Sequence, residues 1–267
     1  MKRPIISLTS DFGVQSPGIG NMEGVIAGIA PDAHVIHLMH GIPDFDIRIG
    51  ARVIETAQYL PIGFHVCVVD PGVGSQRKAI IIKVKRGDFL IGPDNGVLIP
   101  SIDFLGGFEK CVQITNPKLM IQPVSPIFHG RHIFAPAATH LANGVSIDEF
   151  GPQINFDQLV KGPYQNATAK NNKIFAEVIN INKFGSLNLN ILHKTWDEFN
   201  VKLGQKIMLT FGKQEIRMAH VETFSQVGVG QSLILKDDYG RVEVAINLGD
   251  FAKKFKIKIG QTCTIYI

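Results

Sequence analysis

The residues whose types and settings could do chemistry are Asp11, Asp70, Arg77 and His129. Asp11 follows the apolar run PIISLTS and Asp70 follows HVCVV, so each stands at the C-terminal end of an expected strand, where an open α/β sheet presents its ligands. Both lie beside glycines, in Asp11-Phe-Gly13 and Asp70-Pro-Gly-Val-Gly74, that allow the backbone to approach a bound molecule closely. His129 belongs to Phe128-His-Gly-Arg-His132, directly before a helical pattern. Taken singly, each has a plain structural reading: Asp70 as a turn-forming Asx residue, Arg77 as a solvated charge, His129 as a helix cap.

Other chemistries lack their parts. Gly18-Ile-Gly20-Asn-Met-Glu23 begins like a dinucleotide fingerprint, but Glu23 stands where a glycine must let helix and strand approach, so no nicotinamide cofactor is expected. There is no GxxxxGK[ST], HExxH or GxSxG. The His34, His37, His40 series falls on an expected strand, where alternation would turn His37 away from the other two, so no metal site is expected.

The elements that must position the four residues change character along the chain. Up to about residue 150, short β-branched runs alternate with helical ones, the pattern of a mainly parallel sheet covered by helices. Expected strands are Pro4–Thr9, His34–Met39, Gly63–Val69, Ala79–Lys85, Asp88–Ile91 and Cys111–Thr115; expected helices are Asn21–Ala30, Asp46–Leu60 and Ile133–Ala142, with Pro136 tolerable only near its first turn. Beyond Gly151 the helical period disappears, and Ile174–Asn180, Leu187–Leu192, Lys206–Phe211, Glu215–Thr223, Ser232–Leu235, Val242–Ile246 and Thr262–Ile267 read as strands. This predicts an N-terminal α/β domain over 1–160, a polar linker over 161–172 and an all-β, barrel-like domain over 173–267.

Composition narrows the class further. With 267 residues, 45% of them apolar and 19% charged, the chain can bury a large core and is not disordered. A net charge of +4, with its basic clusters interrupted by Val84, Phe255 and Ile257, does not indicate nucleic-acid binding. Cys67, Cys111 and Cys263 are an odd count without CxxC spacing, which argues for reduced thiols in a cytoplasmic compartment. The N-terminal MKRPIISLTSDFG has only a short apolar stretch broken by Ser and Thr, and no later segment approaches ~18 continuous apolar residues, so neither a signal peptide nor a membrane span is expected.

The segments TSDFG (9–13), HGIPDFDIRIGA (40–51), VVDPGVGSQR (68–77), GPDNGVL (92–98), PIFHGRHIFAPAATHLA (126–142), NKFGS (182–186), TFS (223–225) and DYGRVEVAIN (238–247) occur in this order over nearly the whole chain. Together they resemble the S-adenosylmethionine hydroxide adenosyltransferases, relatives of the bacterial fluorinase and chlorinase. The resemblance implies an N-terminal α/β domain, a C-terminal β-barrel, and a homotrimer whose substrate lies between domains of neighbouring subunits. It implies hydrolysis of S-adenosylmethionine, as substrate and without a further cofactor, to adenosine and methionine. Asp70, Arg77 and His129 then match the set that defines the hydroxide-using branch, with His129 and Asp70 holding the water and accepting its proton while Arg77 stabilises the developing hydroxide.

By the same resemblance, Asp11 would accept the ribose hydroxyls, Phe45 and Phe128 would wall the ribose and C5′, and Phe224 would stack on adenine. Val73, Phe184 and Tyr239 would be further substrate contacts. Gly130 stands where a fluoride-binding Ser is expected in the fluorinase, which disfavours fluoride. The chain departs from the family at Ser16, Asn182, Ser186 and Asp238. Ser16 and Asn182 replace carboxylates, Ser186 replaces an Asn that would meet adenine, and Asp238 could return a charge to the methionine end or be a solvated turn residue. Two other functions stay open on sequence: a nucleoside-binding protein with little turnover, and a halide-dependent enzyme.

Overall fold

The chain is seen in a computed structural model that describes residues 3–267; Met1 and Lys2, the start of the segment read as no signal peptide, lie outside it. Residues 1–163 and 164–267 form two compact units. In the first, the order is β1 (Ile5–Ser10), α1 (Pro17–Ile29), β2 (His34–Met39), α2 (Ile47–Ile54), β3 (Phe64–Val68), β4 (Ala79–Val84), β5 (Phe89–Pro93), α3 (Ser101–Phe104), β6 (Phe108–Gln113) and α4 (Ala135–Ala142). The strands form one sheet in the order β2-β1-β3-β5-β4-β6. β1, β2, β3 and β5 run parallel, whereas β4 pairs antiparallel with both β5 and β6. That reversal follows from the tight Arg86–Gly87 turn between β4 and β5, which leaves no room for a crossover helix.

Alternation along β1 and β3 puts Ile6, Leu8, Val66 and Val68 into one core with Met22 and Ile26 of α1, Phe134 just before α4, and Ala138 and Leu141 of α4. Each fully buried Leu or Ile contributes about 1.5–3 kcal/mol of transfer free energy. Helix α1 starts at Pro17 rather than Asn21, because Ser16 accepts the Gly18 N–H at 3.1 Å and Pro17 fits the first turn, where its missing N–H costs nothing. At α4, Pro136 cannot donate to the His132 carbonyl. The Ile121 N–H takes that carbonyl at 2.9 Å instead, and the preceding turn, Gly130–Phe134, is widened to a π-helical one.

A buried polar group sits at the N-terminal ends of β1, β3 and β5. Ser7 Oγ lies 2.8 Å from His65 Nδ1, His65 Nε2 lies 3.0 Å from Asp88 Oδ1, and Arg86 donates to both Asp88 oxygens. The residue types are those of a hydrolytic triad, yet Ser7, His65 and Asp88 are all wholly buried, so they hold strand ends together. The expected parity of the histidine series also fails. β2 ends at Met39, its register against β1 shifts between Leu8 and Thr9, and His40 turns back to bond His37 at 2.7 Å.

The second unit holds β7 (Thr168–Lys170), β8 (Lys173–Ile181), β9 (Leu187–Leu192), α5 (His193–Asp197), β10 (Lys206–Phe211), β11 (Gln214–His220), β12 (Ser232–Lys236), β13 (Arg241–Ile246), α6 (Phe251–Phe255) and β14 (Thr262–Tyr266). The order β14-β10-β11-β12-β13-β9-β8 closes on itself through β14–β8, giving a seven-stranded barrel with β7 paired to β8 outside the ring. Its interior is filled by residues such as Val178, Leu189, Leu209, Val244 and Ile265. β7 lies within 161–172, the segment read as linker. All three cysteines are buried, and burial pushes the Cys111 and Cys263 thiols up to about 12, away from nucleophilic thiolates. Among the described residues, no helix is long and apolar enough to cross a membrane.

Burial opposes the Asp88 charge, but bonds from His65, Arg86 and the Gly63 N–H overcome it and hold the carboxyl far below its ordinary value. A carboxylate depressed in the fold stabilises it above its unfolded value and loses that contribution as pH falls through the folded one. Asp88→Asn should therefore lower the unfolding free energy by about 3–5 kcal/mol at neutral pH. The deficit should shrink only in strong acid. Urea titrations at several pH values measure both, and an unchanged midpoint at pH 7 would refute the structural role.

Candidate active site

Asp70 begins the loop that leaves β3. The Asn95 amide donates to the Val69 carbonyl at 2.8 Å, fixing the backbone just before Asp70, which gives the GPDNG segment a positioning role. The loop then folds back: the Val73 N–H meets the Asp70 carbonyl at 3.2 Å, Ser75 Oγ donates to the Gly72 carbonyl at 2.6 Å, and the Arg77 N–H meets Ser75 Oγ at 3.2 Å. At Gly74, φ is +76° and a Cβ would lie 2.5 Å from the Pro126 carbonyl, so only glycine lets this loop touch the segment carrying His129.

Arg77 is thereby returned onto Asp70. Its Nε donates to Asp70 Oδ1 at 3.0 Å, one Nη donates to Asp70 Oδ2 and to His129 Nδ1 at 2.9 Å, and the other donates to the Lys78 carbonyl. The Asp70 and Arg77 side chains are only 5% and 7% exposed. A guanidinium cannot accept, so His129 Nδ1 must be the acceptor and the neutral ring carries its proton on Nε2. This corrects the expectation that His129 accepts a proton from water: Nδ1 is already engaged and Nε2 is a donor. The expectation that Arg77 faces a developing hydroxide is revised too, since four of its five N–H donors are spent on protein acceptors.

Burial lowers the proton affinity of His129, Arg77 and His132 lower it further, and Asp70 alone opposes them. For Asp70, burial pushes the carboxyl up, with Arg77, His129 and the Gly72 N–H pulling against it. The site thus holds a neutral imidazole donor beside a carboxylate that is more basic than an ordinary one.

These groups face a pocket of about 290 Å³ lined by Asp11, Phe12, Asp44, Phe45, Val68, Asp70, Val73, Ile127, Phe128, His129 and Gly130. The structure so gathers seven of the predicted residues: Asp11, Phe45, Asp70, Val73, Phe128, His129 and Gly130. Arg77 braces the wall from behind. Phe12, Asp44, Val68 and Ile127 were not singled out, although each lies within or beside a quoted motif. Asp11 Oδ2 accepts the Phe45 N–H at 3.0 Å, and Phe45 is held at φ +63°, unusual for a residue with a Cβ. A Cβ on Gly130 would lie 3.0 Å from Met22 Sδ and 3.2 Å from the Phe128 ring, so a serine there would press on the wall. Ser16 does not line this pocket; it caps α1.

In the second unit, Asn182, Phe184, Ser186 and Phe224 line one pocket of about 590 Å³ together with Glu243, Asn247, Leu248 and Asp250. Asn182 Oδ1 accepts the N–H groups of Phe184 and Ser186 at 3.0 and 3.1 Å, so its oxygen shapes its own turn. Asp238 and Tyr239 are exposed on the β12–β13 turn and do not line that pocket. The carboxylate that forms this turn is Asp237, which accepts the Tyr239 and Arg241 N–H groups at 2.9 and 2.8 Å.

The chain matches family models described as SAM hydroxide adenosyltransferase N-terminal domain over residues 6–151 and C-terminal domain over residues 176–264, where SAM is S-adenosylmethionine. It is similar to the (R)-S-adenosyl-L-methionine hydrolase of Salinispora arenicola (strain CNS-205), with 35% identity over 263 residues, 96% of this chain and 95% of the relative. Similarity to the fluorinase of Actinoplanes sp. (strain N902-109) is weaker, 24% over 292 residues covering 98% and 97%. A crystal structure of an uncharacterized conserved protein from Thermotoga maritima superposes with a TM-score of 0.89 at 30% identity, covering 98% of this chain and all of the other.

The hydrogen-bond argument makes a spectroscopic prediction. ¹⁵N chemical shifts of His129 at pH 7 should report the neutral Nε2–H tautomer, and the ring should titrate below the ordinary 6.5. An Nδ1–H tautomer, or a midpoint above 6.5, would contradict the geometry.

Proposed function

Because the chain belongs to the SAM hydroxide adenosyltransferase family, we propose that it hydrolyses S-adenosylmethionine to adenosine and methionine by attack of water on C5′. The observation that carries this reading is the single guanidinium joining Asp70 to His129 at the wall of a pocket that also holds Asp11 and Gly130. The sulfonium is already a good leaving group, so the enzyme's task is to align and activate a weak nucleophile in a site with little water.

His129 Nε2–H would donate to the water oxygen and orient a lone pair toward C5′. Asp70 would take the proton on a lone pair that Arg77 leaves free; each carboxylate oxygen has more than one. As the O–C5′ bond forms, the C5′–S bond breaks and its electron pair stays on sulfur, which leaves as the neutral thioether of methionine. Arg77 keeps Asp70 charged and His129 in the donor tautomer. Asp11 would hold the ribose hydroxyls and Phe45 and Phe128 the sugar's flanks. Gly130, crowded by Met22 and Phe128, offers no hydroxyl to a halide.

The second pocket, with Phe184 and Phe224 67% and 43% exposed, has the aromatic surface to take an adenine. We propose that it completes the site in a homotrimer, the arrangement the family resemblance implies. Neither Ser16 nor Asn182 offers a carboxylate to the substrate ammonium, and Asp238 remains the candidate replacement.

Incubation with S-adenosylmethionine in ¹⁸O-water tests the reading. Adenosine labelled at the 5′ oxygen is the expected product, at unchanged yield when fluoride or chloride is added, from protein whose mass by light scattering is that of a trimer. Halogenated nucleoside would establish the halide-dependent alternative, and unconverted substrate the nucleoside-binding one. A monomer's mass would overturn the shared site.

A further inference from the structure

The histidine series has a role that the mechanism does not use. Ser10 Oγ lies 2.7 Å from His40 Nδ1, His40 Nε2 lies 2.7 Å from His37 Nδ1, and His37 Nε2 lies 2.8 Å from Glu23 Oε1. The terminal carboxylate accepts, so His37 carries its proton on Nε2 and offers Nδ1. His40 in turn donates from Nε2 and offers Nδ1 to the Ser10 hydroxyl, whose oxygen receives the Phe12 N–H at 3.4 Å. Every donor in this chain points the same way, from the backbone of the Asp11 loop outward to Glu23. The ring nitrogens are spent on one another and do not converge on a common point, as a metal site would require.

His40 also holds that loop by its main chain, since its carbonyl accepts the Gly13 N–H at 2.7 Å. The same residue opens the segment that runs to Phe45, whose N–H rests on Asp11 Oδ2. Two loops, 10–13 and 40–45, are therefore tied together at His40 and again at the Asp11–Phe45 bond. Between them they supply Asp11, Phe12, Asp44 and Phe45 to the pocket. Ser10 and His40 are buried, at 1% and 8% exposure, so a lost bond there is not replaced by water. Burial, with His37 adding to it and Glu23 opposing, holds His40 below its ordinary value, which keeps the ring neutral as this bond chain requires.

We propose that His40 is a positioning residue for nucleoside binding: through Ser10 and Gly13 it sets the Asp11–Phe45 clamp at the ribose, and His37 with Glu23 fixes the tautomer in which it does so. This rests on the adenosine-forming reading, because the ribose is what the clamp would hold. The proposal separates binding from chemistry, since the Asp70–Arg77–His129 set makes no bond to this chain.

The test is calorimetric titration of the full-length protein with adenosine, alongside KM and kcat for S-adenosylmethionine. His40→Ala should raise the adenosine Kd and the KM about 10-fold or more while kcat stays within about 3-fold. His40→Asn, whose amide oxygen can stand in for Nδ1 and receive the Ser10 hydroxyl, should recover most of the affinity. His40→Gln, which reaches toward the Nε2 position instead, should not. If His40→Ala does not fold, Ser10→Ala removes the same contact without a large cavity and should raise Kd similarly. Wild-type affinity in His40→Ala or Ser10→Ala, equal behaviour of the Asn and Gln variants, or a loss confined to kcat would each overturn the proposal. Wild-type protein that binds no adenosine would overturn the nucleoside reading itself, and this proposal with it.

Discussion

Arg77 carries five N–H donors and no acceptor, and its side chain is almost out of water, so its donors must find acceptors mainly within the protein. Asp70, His129 and the Lys78 carbonyl take four of its five N–H groups, and the guanidinium plane dictates where the carboxylate and the imidazole stand. Much of the surrounding structure serves this arrangement. Asn95 and Ser75 shape the loop that returns Arg77, Gly74 lets it touch the Pro126 backbone, and the π-helical turn ahead of Pro136 starts beside His129. Removing any of these would move a donor relative to its acceptor by distances that matter on the scale of a hydrogen bond.

The two ends of the sheet contrast the same residue types in different surroundings. At the N-terminal ends of the strands, Ser7, His65, Asp88 and Arg86 form a charged group with three members wholly buried, and it contributes stability. At the C-terminal ends, Asp70 and His129 are similarly bonded, through Arg77, but open onto a pocket. Access to a pocket, together with a carboxylate pushed up by burial where Asp88 is pulled down, separates a candidate site from a staple.

Much of this was legible in the sequence. Short β-branched and apolar runs located the strands of both units, and placing Asp11 and Asp70 at strand ends put them in one pocket. The misses have physical causes. The Gly18-Ile-Gly20 stretch has poor helix propensity, so the start of α1 was hidden; only the Ser16-Pro17 pair signals it. Strand β7 is too short and polar to stand out from the linker composition, and α5 and α6 span barely a turn each. The bond direction at His129 has no sequence signature, because it follows from which ring nitrogen the guanidinium reaches. Neither does the meeting of His37 with His40, which requires β2 to end at Met39. Asp237 rather than Asp238 forming the β12–β13 turn is likewise a matter of which neighbour faces inward.

The central claim is that Arg77 acts through geometry, as a fork joining Asp70 to His129, and not merely as a positive charge near a sulfonium substrate. Arg77→Lys keeps the charge and loses the fork. Steady-state kinetics with S-adenosylmethionine, paired with direct titration of adenosine, distinguishes the two. Geometry predicts that kcat falls by roughly 10²–10³ while adenosine affinity stays within about 3-fold. A lysine variant that turns over at near wild-type rate would contradict it.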